Sequence, residues 1–158
     1  MTEKFRASVL ALHEAAKLYR LMAICIKEVA VFLMDPLGVV ITVWNNGAQD
    51  MKGYAPDEAI GRHLRFLYPD AYREEGRPEH NLEMAREHGF YSEETWRKRK
   101  DGSLFWAHIA LTALRDDHEN LLGFSKVTID LTGHKLLEQC NKEKEEIDLI
   151  LHAAQSRT

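Results

Sequence analysis

The sequence has few cysteines and no long apolar run, and each scarcity excludes a class of protein. Its two cysteines, Cys25 and Cys140, lie far apart and form no CxxC pair, so no disulfide framework is expected. A reducing cytoplasm is the simplest location for such a chain. No apolar stretch approaches the roughly 18 residues that a membrane span needs. The first ten residues lack the apolar segment and cleavage site of a signal peptide. We therefore expect a cytoplasmic protein without membrane contact.

Sequence motifs of catalysis are missing as well. No nucleophile motif, phosphate-binding loop, paired-carboxylate arrangement or HExxH zinc motif occurs, so we expect no enzymatic activity. Eight histidines without close metal spacing predict no metal site. The formal net charge of -4 argues against a general affinity for nucleic acid. With 158 residues, 45% of them hydrophobic, the chain has the composition of one globular domain with extensions.

The central part of the chain reads as strands and short helices. Apolar runs at 31–34 and 39–44 flank a Pro/Gly turn and predict a hairpin. Short helices follow, the longest of them within 72–88, and then three more strands with a turn at 100–103. The residues of the second of these strands that share one face, and that we assign to the core, are Phe105, Ala107, Ile109, Leu111 and Ala113. This order predicts an α+β fold, a five-stranded antiparallel sheet with short helices on one face.

Amphipathic helices are predicted at both ends. Residues 3–27 lack Pro and Gly, and their apolar stripe includes Phe5, Val9 and Leu12. Asp130 or Thr132 is placed to cap a second helix at about 133–154. That helix carries a heptad seam, typical of a coiled coil, which includes Leu137, Ile147 and Leu151. Packing of this helix on its own domain is the alternative. We divide the chain into a helix at 1–28, a domain at 29–132 and a helix at 133–158.

A set of residues follows the predicted elements in a fixed order. They are Asp35, Gly38, Trp44-Asn45, Gly47-Ala48, Gly53-Tyr54, Glu58, Ile60-Gly61, Arg99 to Ser103, Phe105-Trp106, Gly123-Phe124 and Asp130-Leu131-Thr132. This order and spacing resembles the PAS domain family, of the type found in bacterial sensor histidine kinases. The resemblance covers most of the chain and implies the PAS fold. It does not name a ligand, because this scaffold serves many functions.

The resemblance implies a cup between sheet and helices. Residues predicted to line it are Leu33, Ile41, Leu64, Leu67, Met84, Phe105 and Ile109. A filled core and a pocket for a small organic ligand are both compatible with this set. The cofactor is unknown and none is predicted. Flavin photochemistry of the LOV subgroup is disfavoured, because Leu64 stands in place of the reactive cysteine. Haem remains an alternative, with His80 on the long helix as its ligand.

The function implied by the resemblance is a sensory and regulatory module in two-component signal transduction. In this interpretation a homodimer relays the state of the cup through Asp130 and Thr132 to the C-terminal helix. A kinase or another effector is the downstream partner. Trp96 and Trp106 are expected on the outer sheet face, as a contact patch. The alternative function is a ligand-free module for dimerisation or protein contacts.

Overall fold

The computed structural model describes residues 3–25 and 28–157 of the chain. Within these ranges the side chains of Phe5, residues 19–25 and His134 are not described, so the predicted contact of Phe5 lies outside the described part. The elements, in chain order, are α1 Glu3–Cys25, β1 Val29–Met34, β2 Val40–Thr42, α2 Asn46–Lys52, α3 Pro56–Ala59, a 3₁₀ turn Leu64–Leu67, α4 Asp70–Glu74, α5 Arg77–His88, β3 Phe90–Lys98, β4 Leu104–Arg115, β5 Leu121–Asp130 and α6 Thr132–Gln155.

The five strands form one antiparallel sheet in the order β2-β1-β5-β4-β3. β5, the last strand in the chain, therefore lies at the centre of the sheet between β1 and β4. Leu64, Leu82 and Ala85 of the helical segments share one buried core with the sheet. This arrangement confirms the predicted α+β class, with a five-stranded antiparallel sheet and a helix at each end.

Asn45 fixes α2 against the sheet. Its Oδ1 accepts hydrogen bonds from the backbone N–H of Val31 at 2.9 Å and of Ala48 at 2.8 Å, so one side chain caps the helix and joins it to β1. At the other end Gly53 stops the helix with φ 84°, a conformation that glycine adopts without strain. Held at both ends, α2 places its last residue, Lys52, in the interior without exposed surface.

The predicted core face of β4 is confirmed. Phe105, Ala107, Ile109 and Leu111 have no exposed surface, and Ala113 packs against the edge of the same core. Trp106 alternates with them and is only half-buried, as expected for the opposite face of a strand. The sheet therefore has an inner face under the helices and a partly open outer face.

The terminal helices α1 and α6 leave their apolar stripes uncovered. Val9 is 51% exposed and Leu12 is 76% exposed. On α6, Leu137, Ile147 and Leu151 are each more than half exposed, so these residues do not pack on their own domain. Among the described residues, no helix has both the length and the apolar character needed to cross a membrane.

Candidate functional site

Four of the predicted cup residues face the interior. Leu64, Leu67, Phe105 and Ile109 have no exposed surface. Met84 lies on α5 at the border of the core and is half-buried. These positions agree with the predicted cup, while its use as a ligand pocket stays a prediction.

The assignments of Leu33 and Ile41 to the cup are wrong. Phe32 and Met34 are buried on the inner face of β1, and alternation along the strand therefore turns Leu33 to the outer face. On β2 the buried residue is Val40, and Ile41 is 46% exposed. Both strands carry apolar side chains on both faces, so the apolar character alone did not identify the inner one.

The alternative assignment of His80 as a haem ligand is also wrong, because His80 is exposed. Residues of α5 that face the core are Pro78, Asn81, Leu82 and Ala85. Their spacing of three and four residues marks one face of the helix. His80 lies two residues from Pro78, about 200° around the helix axis, and so points to solvent.

Three cationic side chains lie inside the core. Lys52, Arg97 and Lys126 have no exposed surface. They come from three different elements, α2, β3 and β5, and the sequence analysis assigned none of them to the interior. Since charged groups are rarely buried without partners, their surroundings decide what this core can do.

Lys126 is the most isolated of the three. It lies on the inner face of β5, directly opposite Phe32 of β1. Its Nζ has no hydrogen-bond partner among the described residues. The ammonium lies 5.8 Å from the Phe32 ring centre and 5.1 Å from the Tyr68 ring centre. Burial, followed by the nearby charges of Arg97 and Lys52, lowers the pKa of Lys126 well below its usual value, while Glu93 opposes this shift.

Lys52 approaches the same space from the end of α2. Its Nζ donates a hydrogen bond of 3.3 Å to Oγ1 of Thr128 and lies 6.0 Å from the Phe32 ring centre. Burial, and then the charges of Arg97 and Arg99, lower the pKa of Lys52 to about 7. A lysine with this pKa exchanges its proton near neutral pH, where small changes in its surroundings alter its charge.

Arg97 completes the group from β3. Its guanidinium carbon stacks 3.8 Å from the centre of the Tyr68 ring. One nitrogen donates to the carbonyl of Trp96 at 2.9 Å and another lies 3.4 Å from Glu93 Oε1. The Nε has no hydrogen-bond partner in the described part of the chain. Because an arginine keeps its proton in proteins, the core always carries at least this positive charge.

The carboxylate of Glu93 is shared among several donors. Besides Arg97, it accepts a hydrogen bond from the Tyr91 hydroxyl at 2.7 Å and one from Asn81 Nδ2 at 3.3 Å. The Asn81 amide also donates to the Tyr68 hydroxyl at 3.0 Å. Glu93 therefore compensates Arg97, and the two lysines have no ion-pair partner of their own within the described part of the chain. The core therefore holds basic side chains among aromatic rings, and two of their nitrogen atoms, Lys126 Nζ and Arg97 Nε, lack a hydrogen-bond partner in the described residues.

The predicted relay residues lie where β5 meets α6. Asp130 accepts a hydrogen bond of 2.7 Å from Arg99 Nη2 and one of 2.9 Å from the backbone N–H of Thr132. The Thr132 hydroxyl accepts from the N–H of Trp106 at 3.1 Å, and Trp106 also accepts from the N–H of Leu131 at 2.8 Å. Burial alone would raise the pKa of Asp130, but these hydrogen bonds and Arg99 hold it below its usual value. The first turn of α6 is thus fixed to both β5 and β4.

Arg99 connects this junction to the core. Its guanidinium carbon lies 4.3 Å from the ring centre of Phe105, and Nη1 donates to the carbonyl of Met51. A cavity of about 480 Å³ opens beside it. The residues that line this cavity are Asp50, Met51, Gly53, Arg99, Lys100 and Asp101. Lys52 follows Met51 in the chain, but its side chain lies in the core and does not belong to this lining.

Trp96 and Trp106 face away from the core, as expected. Their rings meet edge to face, with centres 5.2 Å apart. Lys135 of α6 places its Nζ 3.7 Å from the Trp106 ring centre and 4.9 Å from that of Trp96. This cation–π contact, worth about 0.5–1 kcal/mol at an exposed site, fastens the first turn of α6 to the outer sheet face.

Comparisons with known proteins agree with this geometry. Residues 28–133 match the PAS domain family. Two-component system protein A of Emericella nidulans is 39% identical over 140 residues, which make up 87% of this chain and 20% of that protein. The chain therefore spans about a fifth of the length of this curated relative.

Solved structures share the fold. The PAS domain of a protein from Colwellia psychrerythraea has a TM-score of 0.64 and 21% identity, covering 78% of this chain and 98% of that one. The PAS domain of a LuxR-family transcriptional regulator from Burkholderia thailandensis, in complex with ethanol, has a TM-score of 0.57 and 26% identity, covering 70% of this chain and 95% of that one. The chain belongs to the PAS domain family, and its central part is a sensory PAS domain.

Proposed function

We propose that this chain is the sensory part of a two-component signalling protein. It works as a homodimer in the cytoplasm and passes the state of its core to α6 through Asp130 and Thr132. A histidine kinase or another effector receives the signal. The PAS domain itself catalyses no reaction and contacts neither nucleic acid nor membrane.

The hydrogen bonds of Asp130 carry this proposal. One carboxylate holds both Arg99, which stacks on a core ring, and the first residue of α6. Asp130 also raises the pKa of Lys52 by its charge, so a change of charge inside the core alters the electrostatic balance at this carboxylate. When the core gains or loses charge, Arg99 and Asp130 shift, and the start of α6 shifts with them.

Uncovered apolar residues support the homodimer. Val9 and Leu12 of α1 and Leu137 and Leu151 of α6 are more than half exposed. Rows of apolar side chains at heptad spacing are typical of helices that pair. A second copy of the chain supplies the matching stripe, and the paired α6 helices then form the element that changes register or separates.

The relatives support a signalling role. Two-component system protein A, by its name, belongs to a signalling system. The Burkholderia regulator holds ethanol in its PAS domain structure, which favours a core that takes up a small molecule. We propose the same two properties for this chain, a signalling role and a core that binds a small molecule.

A fusion to a histidine kinase tests the relay. The double variant Asp130→Ala/Thr132→Ala removes both side chains that fix α6 to the sheet, and we expect a changed rate of autophosphorylation. Asp117→Ala, an exposed residue of the β4–β5 turn, is the matched control and leaves the rate unchanged. If the double variant behaves like this control, the relay proposal is wrong.

A second experiment tests the homodimer. We expect sedimentation equilibrium of the 158-residue chain to give the mass of two copies. Glutamate at Leu137 and Leu151 places charges in the apolar stripe of α6 and shifts the equilibrium towards one copy. If the unchanged chain has the mass of one copy at two protein concentrations that differ 100-fold, the homodimer is contradicted.

The second candidate function is a ligand-free interaction module. Trp96 and Trp106 favour it, because they form a half-buried aromatic pair on the outer face. In this case the core only supports the fold, and α1, α6 and the tryptophan pair bind a partner protein. Thermal unfolding with and without a small ligand separates the two functions, because the Tm of an interaction module does not change when a small ligand is added.

A further inference from the structure

We propose that the core of this domain binds a small oxyanion, a carboxylate or a phosphate, through Lys126, Lys52 and the guanidinium of Arg97. The inference deepens the proposed sensory function by giving the chemical class of the ligand. It rests on the placement of the three cations around the same aromatic side chains.

The first argument is geometric. Nζ of Lys52 and Nζ of Lys126 both lie within 6.0 Å of the Phe32 ring centre. Lys126 and Arg97 likewise share the Tyr68 ring, at 5.1 Å and 3.8 Å from its centre. Three cationic side chains from α2, β3 and β5 thus lie around the Phe32 and Tyr68 rings. An oxyanion accepts charge-assisted hydrogen bonds from such donors.

The second argument is the missing partners. Nζ of Lys126 and Nε of Arg97 are buried without a hydrogen-bond partner in the described residues. Buried polar atoms nearly always have a partner, and an exception commonly marks the place of an ion or ligand. A core built only for stability needs no ammonium group at Lys126, because an apolar side chain would fill the same place without a desolvation cost.

The third argument is the charge balance. The charge of Lys126 is opposed by Arg97 and Lys52 and supported by Glu93. That of Lys52 is opposed by Arg97 and Arg99 and supported by Asp130. Glu93 and Asp130 are already bonded to Arg97 and Arg99. Because these carboxylates are paired with the arginines, a bound anion supplies the negative charge that compensates the two lysines.

Arg99 lines a cavity and also holds the junction with α6. The cavity is lined by both cationic and anionic side chains, among them Arg99, Lys100 and Asp101. Arg99 stacks on Phe105 and binds Asp130. Lys52 Nζ lies 5.6 Å from the centre of the same Phe105 ring, so the proposed anion site and the junction residue share this ring, which links binding to α6.

Thermal unfolding of the 158-residue chain tests the site. Succinate and inorganic phosphate are the probes, with sodium chloride at equal ionic strength as the reference. A probe at a hundredfold excess over its Kd raises the Tm by about 5 °C or more. A rise with succinate alone assigns the carboxylate class, and a rise with phosphate alone assigns the phosphate class. The proposal is overturned if the Tm does not rise with either probe, added from 50-fold the protein concentration up to 10 mM.

Lys126→Met and Lys142→Met form the matched pair of variants. Methionine keeps the length of the side chain without its charge, so Lys126→Met loses the anion-dependent rise while Lys142→Met, exposed on α6, keeps it. Lys52→Met is the second core variant and loses most of the rise. If the Tm of Lys126→Met and of Lys52→Met rises with the anion as much as that of the unchanged chain, the proposed anion site is wrong.

Proton uptake gives an independent measurement. An anion restores the proton of a lysine whose pKa lies near neutrality, so binding at pH 8 takes up protons in the unchanged chain. Calorimetric titrations in two buffers of different ionisation enthalpy then give different apparent enthalpies. Equal enthalpies in both buffers for the unchanged chain contradict a role of Lys52 and Lys126 as charged ligands of the anion.

Hydrogen exchange at the start of α6 separates this proposal from the proposed function. If an anion binds through Lys126 and exchange at the N–H groups of Thr132 and Lys135 stays the same, the site is correct and the relay is wrong. If the kinase fusion responds to the Asp130→Ala/Thr132→Ala change and no anion binds, the relay is correct and the anion site is wrong.

Discussion

Two groups of charged side chains lie next to each other in this domain, and they are compensated in different ways. At the junction with α6, Arg99 and Asp130 form a pair at 2.7 Å, and each side chain keeps about a quarter of its surface exposed, 26% and 28%. In the core, Lys52 and Lys126 have no exposed surface. Water and a direct partner stabilise the first group, whereas the second group either loses protons or requires an anion.

This difference shows where the domain is sensitive to its surroundings. The pair at the junction stays charged over a wide pH range, because its hydrogen bonds lower the pKa of Asp130. In the core, Lys52 changes charge near neutral pH, since burial lowers its pKa to about 7, and burial also lowers the pKa of Lys126. A fixed connector beside a variable core is the arrangement that a relay needs.

The ring of Phe105 lies close to both groups, and its removal has the largest expected effect. Lys52 Nζ lies 5.6 Å from the ring centre and the Arg99 guanidinium carbon 4.3 Å from it. Phe105→Ala leaves a cavity in the core and lowers the free energy of unfolding by about 3–5 kcal/mol, measured by urea denaturation. Leu104→Ala, on the exposed side of the same strand, costs less than about 1 kcal/mol. Equal losses in both variants would show that Phe105 is not a core residue.

The second prediction uses pH to separate the groups. Between about pH 7 and pH 10, Lys52 is largely neutral in the folded chain and charged in the unfolded chain, whose pKa is 10.5. The unfolded state then binds more protons, so the free energy of unfolding rises with pH, by up to about 1.4 kcal/mol per pH unit for each such lysine. Below about pH 7 Lys52 is charged in both states and its contribution is constant.

The upper limit of that window comes from Tyr91. Burial, and then its hydrogen bond to Glu93, raise the pKa of Tyr91 to about 12. Above pH 10 the unfolded tyrosine loses its proton first, which lowers stability and opposes the effect of Lys52. Urea denaturation from pH 7 to 9.5 therefore measures the lysines. Lys52→Met reduces the slope and Lys142→Met does not; an unchanged slope in Lys52→Met contradicts the prediction.

The third prediction concerns the junction, whose stabilisation also increases with pH, but in the acid range. Asp130→Asn keeps the shape of the side chain and removes the charge that binds Arg99, at an expected cost of about 1–2 kcal/mol at pH 7. The lowered pKa of Asp130 means that its stabilisation is present above pH 3.8 and is lost as pH falls through the folded value. The difference between Asp130→Asn and the unchanged chain thus narrows in acid. A difference that grows in acid, or an equal cost for Asp117→Asn, argues against this role.

The sequence predicted the fold well where patterns are local. The alternation of apolar residues in β4 identified its inner face, because Trp106 and its neighbours differ clearly from the Phe105 set. The glycine and proline signals placed the turns. Spacing on α5 could also have excluded His80, since Pro78, Asn81, Leu82 and Ala85 form one face.

The candidate site could not be predicted in the same way. On β5 the inner face carries Phe124, Lys126 and Thr128, while Val127 and Ile129 are on the outer face. An alternation argument would turn Lys126 to solvent and Val127 to the core. The actual orientation is set by pairing with both β1 and β4, a tertiary constraint that overrides local polarity. Likewise, the interior position of Lys52 depends on how Asn45 and Gly53 fix α2.

An exposed ion pair gives the smallest expected effect and completes the comparison. Lys100, which lines the cavity beside Arg99, forms an ion pair with Glu58, and the two side chains are 51% and 40% exposed. Water screens such a pair, so Lys100→Ala changes the free energy of unfolding by less than about 0.5 kcal/mol. The same variant leaves the slope of stability between pH 7 and 9.5 unchanged, because the Lys100 side chain is half exposed and lies outside the core. A slope reduced as far as in Lys52→Met would mean that charge near the cavity, rather than burial in the core, governs the pH response.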